Sequence, residues 1–372
     1  MKTISLVRCV ISIAAILGTL TMVYSQSQLE DPESISQLTA NFDQRIPILM
    51  AKADVQGLAI AVIKHGKLVW SNAYGHASVE LTRKATENTI FEAASLGKVV
   101  FALITLRLAD KGVIDLDESI AVNFNYPLLD HDKRFFQLTP RLILQHASGL
   151  PNWGSYALAE IREMVQFKTN PGEKFGYSGE AYTALQHFVE ARSGRSLEQL
   201  FKEMASEAGM VNSSFISYVE KTKQYAQAKG SDGNERPIIL FKKPGAAYSL
   251  ISTAEDLARF IVFYFHNSGL SNQLFDESIQ PLISVTEDAW GAFIPEGAQI
   301  RWTLAWGLQE LKDKRVFFHA GNNGGFRSFF AYSPDRDIGV AVMTNGADGL
   351  SFISDIFNPL IGNIIPATVW WG

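Results

Sequence analysis

Hydrophobic positions first recur at helical spacing over residues 36–51, where Leu38, Phe42, Ile46 and Met50 share one face. Residues 29–36 before them are polar and acidic and predict a short linker. The pattern then changes to two strand-like runs, 57–64 and 67–74. His65-Gly66 between them suits a two-residue hairpin turn, because glycine tolerates positive φ. From Ser95 the chain turns helical. Residues 95–111 are rich in helix formers and apolar side chains, and Gly112 closes the segment. Thr139-Pro140 predicts an N-cap and first turn for residues 141–146. A helix over 180–193 stops at Gly194, and Ser196 caps the next. Ser252 with Glu255 predicts a capping box for a helix reaching about residue 266. The last third returns to strands at 302–311, 314–319, 325–332 and 338–344. Pro334-Asp335-Arg336-Asp337 makes a tight turn, and a final helix is expected over 350–365.

Strands thus sit at both ends and helices in the middle. The simplest assembly is an α+β fold. One antiparallel sheet with flanking helices is built from the N- and C-terminal parts, about 37–90 and 290–372. A mainly helical central lobe covers about 95–270. A cleft between two such lobes is where a site is expected.

Composition narrows the class. Of 372 residues, 47% are hydrophobic and 19% charged, which supports a sizeable core and argues against disorder. Residues 1–25 have the pattern of a signal peptide: a basic start at Lys2 and Arg8, an apolar stretch from Val10 to Val23, and short residues at its end. An uncleaved membrane anchor is the competing reading. The stretch is short for a span, and it contains Ser12, Gly18, Thr19 and Thr21. Cleavage would remove Lys2 and Arg8, leaving 31 Lys plus Arg against 38 Asp plus Glu, a net charge of −7. The domain then runs over 26–372 and is expected to be periplasmic or secreted, with no stable span after cleavage. Without a long basic run, no nucleic-acid partner is expected. The single cysteine, Cys9, can build neither a disulfide framework nor a cysteine metal site. The seven histidines show no close ligand pairing, so no metal or other cofactor is expected.

The candidate chemistry begins at Ser95-Leu96-Gly97-Lys98. On a helix, positions i and i+3 share a face, so the hydroxyl and the amine can meet. A serine hydroxyl needs a neighbour to take its proton, and a lysine desolvated at a helix start can be neutral enough to do so. The helix start also aims backbone N–H groups at a developing oxyanion. Alone, Ser-x-x-Lys is a weak signal, and a surface serine and lysine explain it better.

Context adds weight. Phe91-Glu92-Ala93-Ala94-Ser95-Leu96-Gly97-Lys98 resembles the stretch that leads into the nucleophile of class C β-lactamases and their relatives. Tyr177-Ser178-Gly179, within the segment from Pro171, is similar to the family's Tyr-x-Asn element. His319-Ala320-Gly321 is similar to its Lys-Thr-Gly strand motif. Two further stretches resemble family segments without adding chemistry. One runs from Leu138 through His146-Ala147-Ser148-Gly149-Leu150-Pro151, the other from Pro244 through Ser249. The chain is therefore identified as a member of the serine β-lactamase and penicillin-binding-protein superfamily, over roughly residues 50–345.

That resemblance implies Ser95 as nucleophile, with Lys98 and Tyr177 sharing the proton work. It implies that His319 orients the Tyr177 network or binds a substrate carboxylate, and that Gly321 lets substrate backbone approach the strand. The oxyanion would rest on the N–H groups of Ser95 and Asn322. His146 is a tempting base, but relatives use lysine and tyrosine, so it is expected to be structural. Core packing suits Tyr182 better than Tyr177. One departure matters. Gly179 stands where the family has an asparagine that offers its amide to the substrate's acyl-amide group, and some esterases of the superfamily lack that asparagine as well. The expected function is an exported serine hydrolase that forms an acyl-enzyme and hydrolyses an ester, amide or peptide, its partner a small-molecule or peptide substrate. The alternatives are a β-lactamase, a D-Ala-D-Ala carboxypeptidase, or a non-catalytic peptidoglycan-binding or regulatory relative. The oligomeric state is left open.

Overall fold

The structure, a computed structural model, describes residues 35–122, 124–154, 164–286, 297–311 and 314–361. The expected signal segment 1–25, most of the expected linker and the apolar end Val369-Trp370-Trp371 lie outside the described residues. The chain divides into two units, residues 1–45 and 46–372. Helix α1, Ile35–Lys52, spans their boundary, so the last two residues of the expected linker are helical instead.

In the second unit, strands β1 (Gly57–Lys64) and β2 (Lys67–Gly75) form the expected hairpin. His65 and Gly66 both have positive φ, 51° and 67°, which matches the twist of a tight hairpin turn. The short strand β3 (Phe91–Ala94) leads into helix α2 (Leu96–Asp110). Helices α3 (Pro140–Leu144), α4 (Gly179–Ser193) and α5 (Leu197–Ala208) follow. Thr139 caps α3 as expected, and Ser196 caps α5 in a full capping box with Gln199. Gly194 ends α4 with φ 68°.

Strands β4 (Ala228–Lys229), β5 (Glu235–Arg236) and β6 (Leu250–Ser252) precede helix α6 (Ala254–Asn267). The expected capping box is displaced. Thr253, not Ser252, caps α6, accepting from the Asp256 N–H, because the Ser252 hydroxyl is engaged with Ser213 at 2.7 Å. After helix α7 (Asn272–Ser278) come strands β7 (Ile283–Ser284), β8 (Ala298–Trp302), β9 (Gly307–Leu311), β10 (Lys314–Asn323), β11 (Phe326–Ser333) and β12 (Ile338–Thr344). The single strand expected over 302–311 is two strands. Thr303 breaks it, its hydroxyl accepting from the N–H groups of Ala305 and Trp306. Helix α8 (Ile353–Ile361) begins three residues later than expected, and residues 362–365 of that expectation lie outside the described residues.

Eight of these strands form one antiparallel sheet in the order β2-β1-β12-β11-β10-β9-β8-β7. N- and C-terminal strands meet at β1 and β12, where Leu58 faces Thr344 and Lys64 faces Ile338. The α+β class and the sheet drawn from both ends of the chain are therefore as expected. Strands β11 and β12 are buried along their whole length, so both faces of the sheet are covered. Neighbouring β11 residues show how. Phe329 meets Phe357 of α8 and Phe330 meets Phe260 of α6, and adjacent strand residues point to opposite faces. On the α6 face, Trp306 packs edge-on against Tyr264 at 5.2 Å and tilted against Phe330 at 4.8 Å. Each such pair contributes about 0.5–1.5 kcal/mol beyond the area it buries. β3 pairs with β6 apart from the large sheet, yet it leans on β10 and β11, where the Ser328 hydroxyl donates to the Ala93 carbonyl at 2.8 Å.

Candidate active site

Ser95 sits where β3 becomes α2. Ala94, just before it, has φ 52°, a left-handed conformation that non-glycine residues seldom adopt. The β3–β6 register slips at the same place, between Glu92 and Ala94. Ser95 takes the N-cap position of α2, but its side chain caps nothing, so the hydroxyl stays available. The following helix is almost wholly buried, with Leu96, Val99, Val100 and Leu103 at 0% exposure, which holds the serine rigidly.

One turn into α2, Lys98 Nζ donates to Ser95 Oγ at 3.0 Å and to the Ala247 carbonyl at 2.8 Å. Ser95 Oγ also faces that carbonyl, at 3.4 Å. Lys98 is completely buried, and among the described residues no carboxylate pairs with it. Burial therefore pushes its ammonium down to about 7, so at neutral pH a large share is the free amine. Nζ also lies 4.8 Å from the centre of the Tyr177 ring, a contact that favours the charged form, but desolvation outweighs it.

The loop carrying Tyr177 is organised by His146. Its carbonyl accepts from the Gly176 N–H at 2.8 Å, and its Nδ1 accepts from the Ser178 N–H at 3.1 Å. Burial, with the charges of Lys98 and His319 nearby, pushes the His146 pKa well below the usual histidine range. The ring is neutral, and an accepting Nδ1 leaves the proton on Nε2. This is the structural placement expected for His146. Ser178 caps α4, its hydroxyl accepting from the Ala181 N–H and donating to the Pro151 carbonyl. Tyr182, also as expected, is a core residue whose hydroxyl donates to the Leu144 carbonyl. Tyr177 itself lies near the Ser95 hydroxyl. Burial raises its pKa above the ordinary phenol, and the Ser95 hydrogen bond opposes that only in part. The phenol is therefore protonated at neutral pH.

His319 enters from β10. Its ring centre lies 6.0 Å from that of Tyr177 and 5.5 Å from that of Trp302. Burial and the Lys98 charge push its pKa down to about 3. Nδ1 lies 2.8 Å from the Ala320 carbonyl, so the neutral ring carries its proton there and keeps a lone pair on Nε2. Gly321 has no room for a side chain. A Cβ there would stand 2.3 Å from the Ala93 carbonyl oxygen and 2.3 Å from Ser328 Oγ. The pairing of β9 with β10 ends at Phe318, so residues 319–323 pair with β11 alone. Asn322 lies on that segment. Its side-chain oxygen accepts from the Gly324 N–H at 3.0 Å and from Arg327 Nη1 at 2.7 Å.

Gly179 opens α4 and donates its N–H to Asn152 Oδ1 at 3.0 Å. Beside Tyr177 lies a cavity of about 400 Å3, lined in part by Leu150, Asn152, Lys168, Lys174 and Phe175. The structure thus brings Ser95, Lys98, Tyr177 and His319 into one cluster, with Gly321 against the strand that delivers Ser95.

Sequence reasoning missed several partners. The Ala247 carbonyl, shared by Ser95 and Lys98, lies in the 244–249 stretch that resembled a family segment without an assigned task. Trp302 forms the floor under His146, Tyr177 and His319. Glu92 is buried, accepts from Asn323 Nδ2 at 2.6 Å, and is pushed up to about 7 by desolvation. Nothing in the local pattern separates these residues from ordinary core. Among the described residues, no group of three or more His, Cys, Asp or Glu side chains suits a metal, and no helix is long and apolar enough to cross a membrane.

Known proteins are similar to this chain in sequence or in fold. The chain is 24% identical over 332 residues to Protein flp of Staphylococcus aureus (strain NCTC 8325 / PS 47), covering 83% of this chain and 64% of that protein's length. The octameric penicillin-binding protein homologue from Pyrococcus abyssi superposes with a TM-score of 0.72 at 24% identity, over 85% of this chain and 74% of that one. A class C beta-lactamase structure gives 0.72 at 18% identity, over 88% and 98%. These structural likenesses speak to the fold. The family model described as Beta-lactamase matches residues 42–357, most of the sequence, and on that match the chain belongs to the Beta-lactamase family.

Proposed function

We propose that the protein is an exported serine hydrolase that forms an acyl-enzyme on Ser95 and hydrolyses an ester in preference to a β-lactam or peptide. The observation that carries this is Lys98, buried, with no carboxylate paired to it among the described residues, 3.0 Å from Ser95 Oγ and its ammonium lowered to about 7. In this reading the free amine of Lys98 takes the Ser95 proton as Oγ attacks the substrate carbonyl. The N–H groups of Ser95 and Asn322 hold the oxyanion. Collapse breaks the bond to the leaving group, which takes a proton relayed from Lys98 through the Tyr177 hydroxyl. Water then attacks the acyl-enzyme, its proton passing back through Tyr177 and Lys98, and Ser95 is regenerated. Tyr177 acts as a protonated relay, since burial holds it above the ordinary phenol. The neutral His319 orients that relay.

Gly179 favours ester over acyl-amide substrates, because it offers no side-chain amide. The test uses residues 26–372 with p-nitrophenyl butyrate, nitrocefin and a D-Ala-D-Ala peptide. The ester should be turned over fastest, and Ser95→Ala should lose at least about 10³-fold in kcat. A Ser95→Ala variant with wild-type rates would sink the nucleophile assignment. N-terminal sequencing of the protein from the producing cells tests export: a start near residue 26 is expected, and an intact Met1 on a soluble protein overturns it.

A further inference from the structure

We infer that Trp153 sets the substrate class of this site, taking the place of the side chain that Gly179 lacks and admitting esters of apolar acyl groups without an amide next to the carbonyl. The inference rests on the reading of Ser95 as nucleophile. A Cβ on Gly179 would stand 2.5 Å from both Cη2 and Cζ2 of the Trp153 indole. The indole therefore fills the volume into which a side chain at position 179 would project. The backbone that carries it is anchored. Asn152 Oδ1 accepts from the Gly179 N–H at 3.0 Å, the Asn152 carbonyl from the Glu180 N–H at 2.9 Å, and Glu180 Oε2 from the Gly154 N–H at 3.4 Å. The residues on either side of the tryptophan are thus tied to the start of α4.

The indole also faces the reacting groups. Its ring centre lies 6.0 Å from Lys98 Nζ, the atom that contacts Ser95 Oγ. Tyr248 stands edge-on to it at 6.1 Å. Tyr248 directly follows Ala247, whose carbonyl faces both Ser95 and Lys98, and its ring packs on Gly245 and against Phe241 at 5.9 Å. Two neighbouring aromatic rings, Trp153 and Tyr248, consequently lie on the Lys98–Ala247 side of the site. An apolar acyl chain gains by covering their carbon faces. An acyl-amide would bury its N–H and C=O there without partners, a penalty that lowers reactivity by about 10–100-fold.

The experiment compares p-nitrophenyl butyrate with the p-nitrophenyl ester of N-acetylglycine, as kcat/KM on residues 26–372. The wild type should prefer butyrate by about 10–100-fold. Trp153→Ala should shrink that preference at least several-fold, whereas Trp153→Phe should largely keep it. Gly179→Asn alone should lose activity on both esters, because its Cβ meets the indole. Combined with Trp153→Ala it should recover activity and shift the preference toward the N-acetylglycine ester. A preference unmoved by Trp153→Ala overturns the inference, as does Gly179→Asn with wild-type rates. Labelling with a fluorophosphonate, mapped to Ser95 by mass spectrometry, separates the two failures. Label on Ser95 with an unmoved preference removes Trp153's role alone, and a wild type that takes no label on Ser95 removes the nucleophile reading beneath it.

Discussion

The imidazole of His146 lies against the ring of Tyr177, with centres 4.2 Å apart and planes 30° apart. The same imidazole holds the Ser178 N–H on Nδ1. His146→Phe keeps a flat ring beneath the tyrosine but leaves that buried N–H without its acceptor. The expected loss is about 1–3 kcal/mol of unfolding free energy, together with a lower kcat as Tyr177 loses its seat. Denaturant titration and steady-state kinetics check both. An unchanged midpoint would mean that Nδ1 contributes nothing to the loop.

Activity should follow the protonation of Lys98. In the proposed mechanism the amine is the reactive form, so kcat/KM should rise with pH through about 7 and level off above it. Lys98→Arg, which cannot give up its proton in this range, should lose at least about 10³-fold at every pH. A rate that falls across this rise would assign the base elsewhere.

Glu92 gives stability an opposite dependence. Its folded pKa is raised from 4.5 to about 7, so the folded protein holds a proton there that the unfolded chain has already released. The stability it contributes is complete below pH 4.5 and is lost as pH rises through 7, about 3 kcal/mol in all. Glu92→Gln keeps a carbonyl oxygen for Asn323 Nδ2 and removes the titration. The difference in unfolding free energy between the two proteins should therefore move in favour of the variant as pH climbs from 4.5 to 7. A difference that stays flat would show that Glu92 titrates normally.

Gly321→Ala should damage both the fold and the rate. The added methyl meets the Ala93 carbonyl and Ser328 Oγ at 2.3 Å, so β3 must move away from β10. Overpacking of this kind costs about 1–3 kcal/mol. Because β3 delivers Ser95, p-nitrophenyl butyrate hydrolysis should fall more than the melting temperature alone would suggest. Full activity in Gly321→Ala would mean that the two strands have slack.

What the sequence made legible is what local chemistry decides. The hairpin at His65-Gly66, the Thr139 and Ser196 caps and the stop at Gly194 each depend on residues a few positions apart. Where a distant group competes for the same atom, local reasoning slipped. Ser252 and Thr253 are equivalent as caps until Ser213, some forty residues earlier, takes one hydroxyl. The break at Thr303 was hidden because Trp302, Leu304, Ala305 and Trp306 are all apolar and continue a strand pattern. Of the site, the Ser95 and Lys98 pair follows from helical spacing, and their meeting with Tyr177 and His319 could be anticipated only through resemblance. Trp153 was invisible for a simpler reason. The sequence displays a glycine at 179, but which ring fills the space beside it is a matter of three-dimensional packing.

β1 takes one neighbour from the next few residues and the other from nearly the opposite end of the chain, with Leu58 facing Thr344. Such pairing is slow to form, since a long stretch must be ordered before the contact rewards it. It also sets an order of events during synthesis. Ser95 and Lys98 leave the ribosome long before His319 and Gly321, and the sheet that brings them together cannot close until β12 is complete. On the proposed mechanism, a growing or truncated chain therefore carries Ser95 and Lys98 in a latent state, and competence waits until β12 has been made.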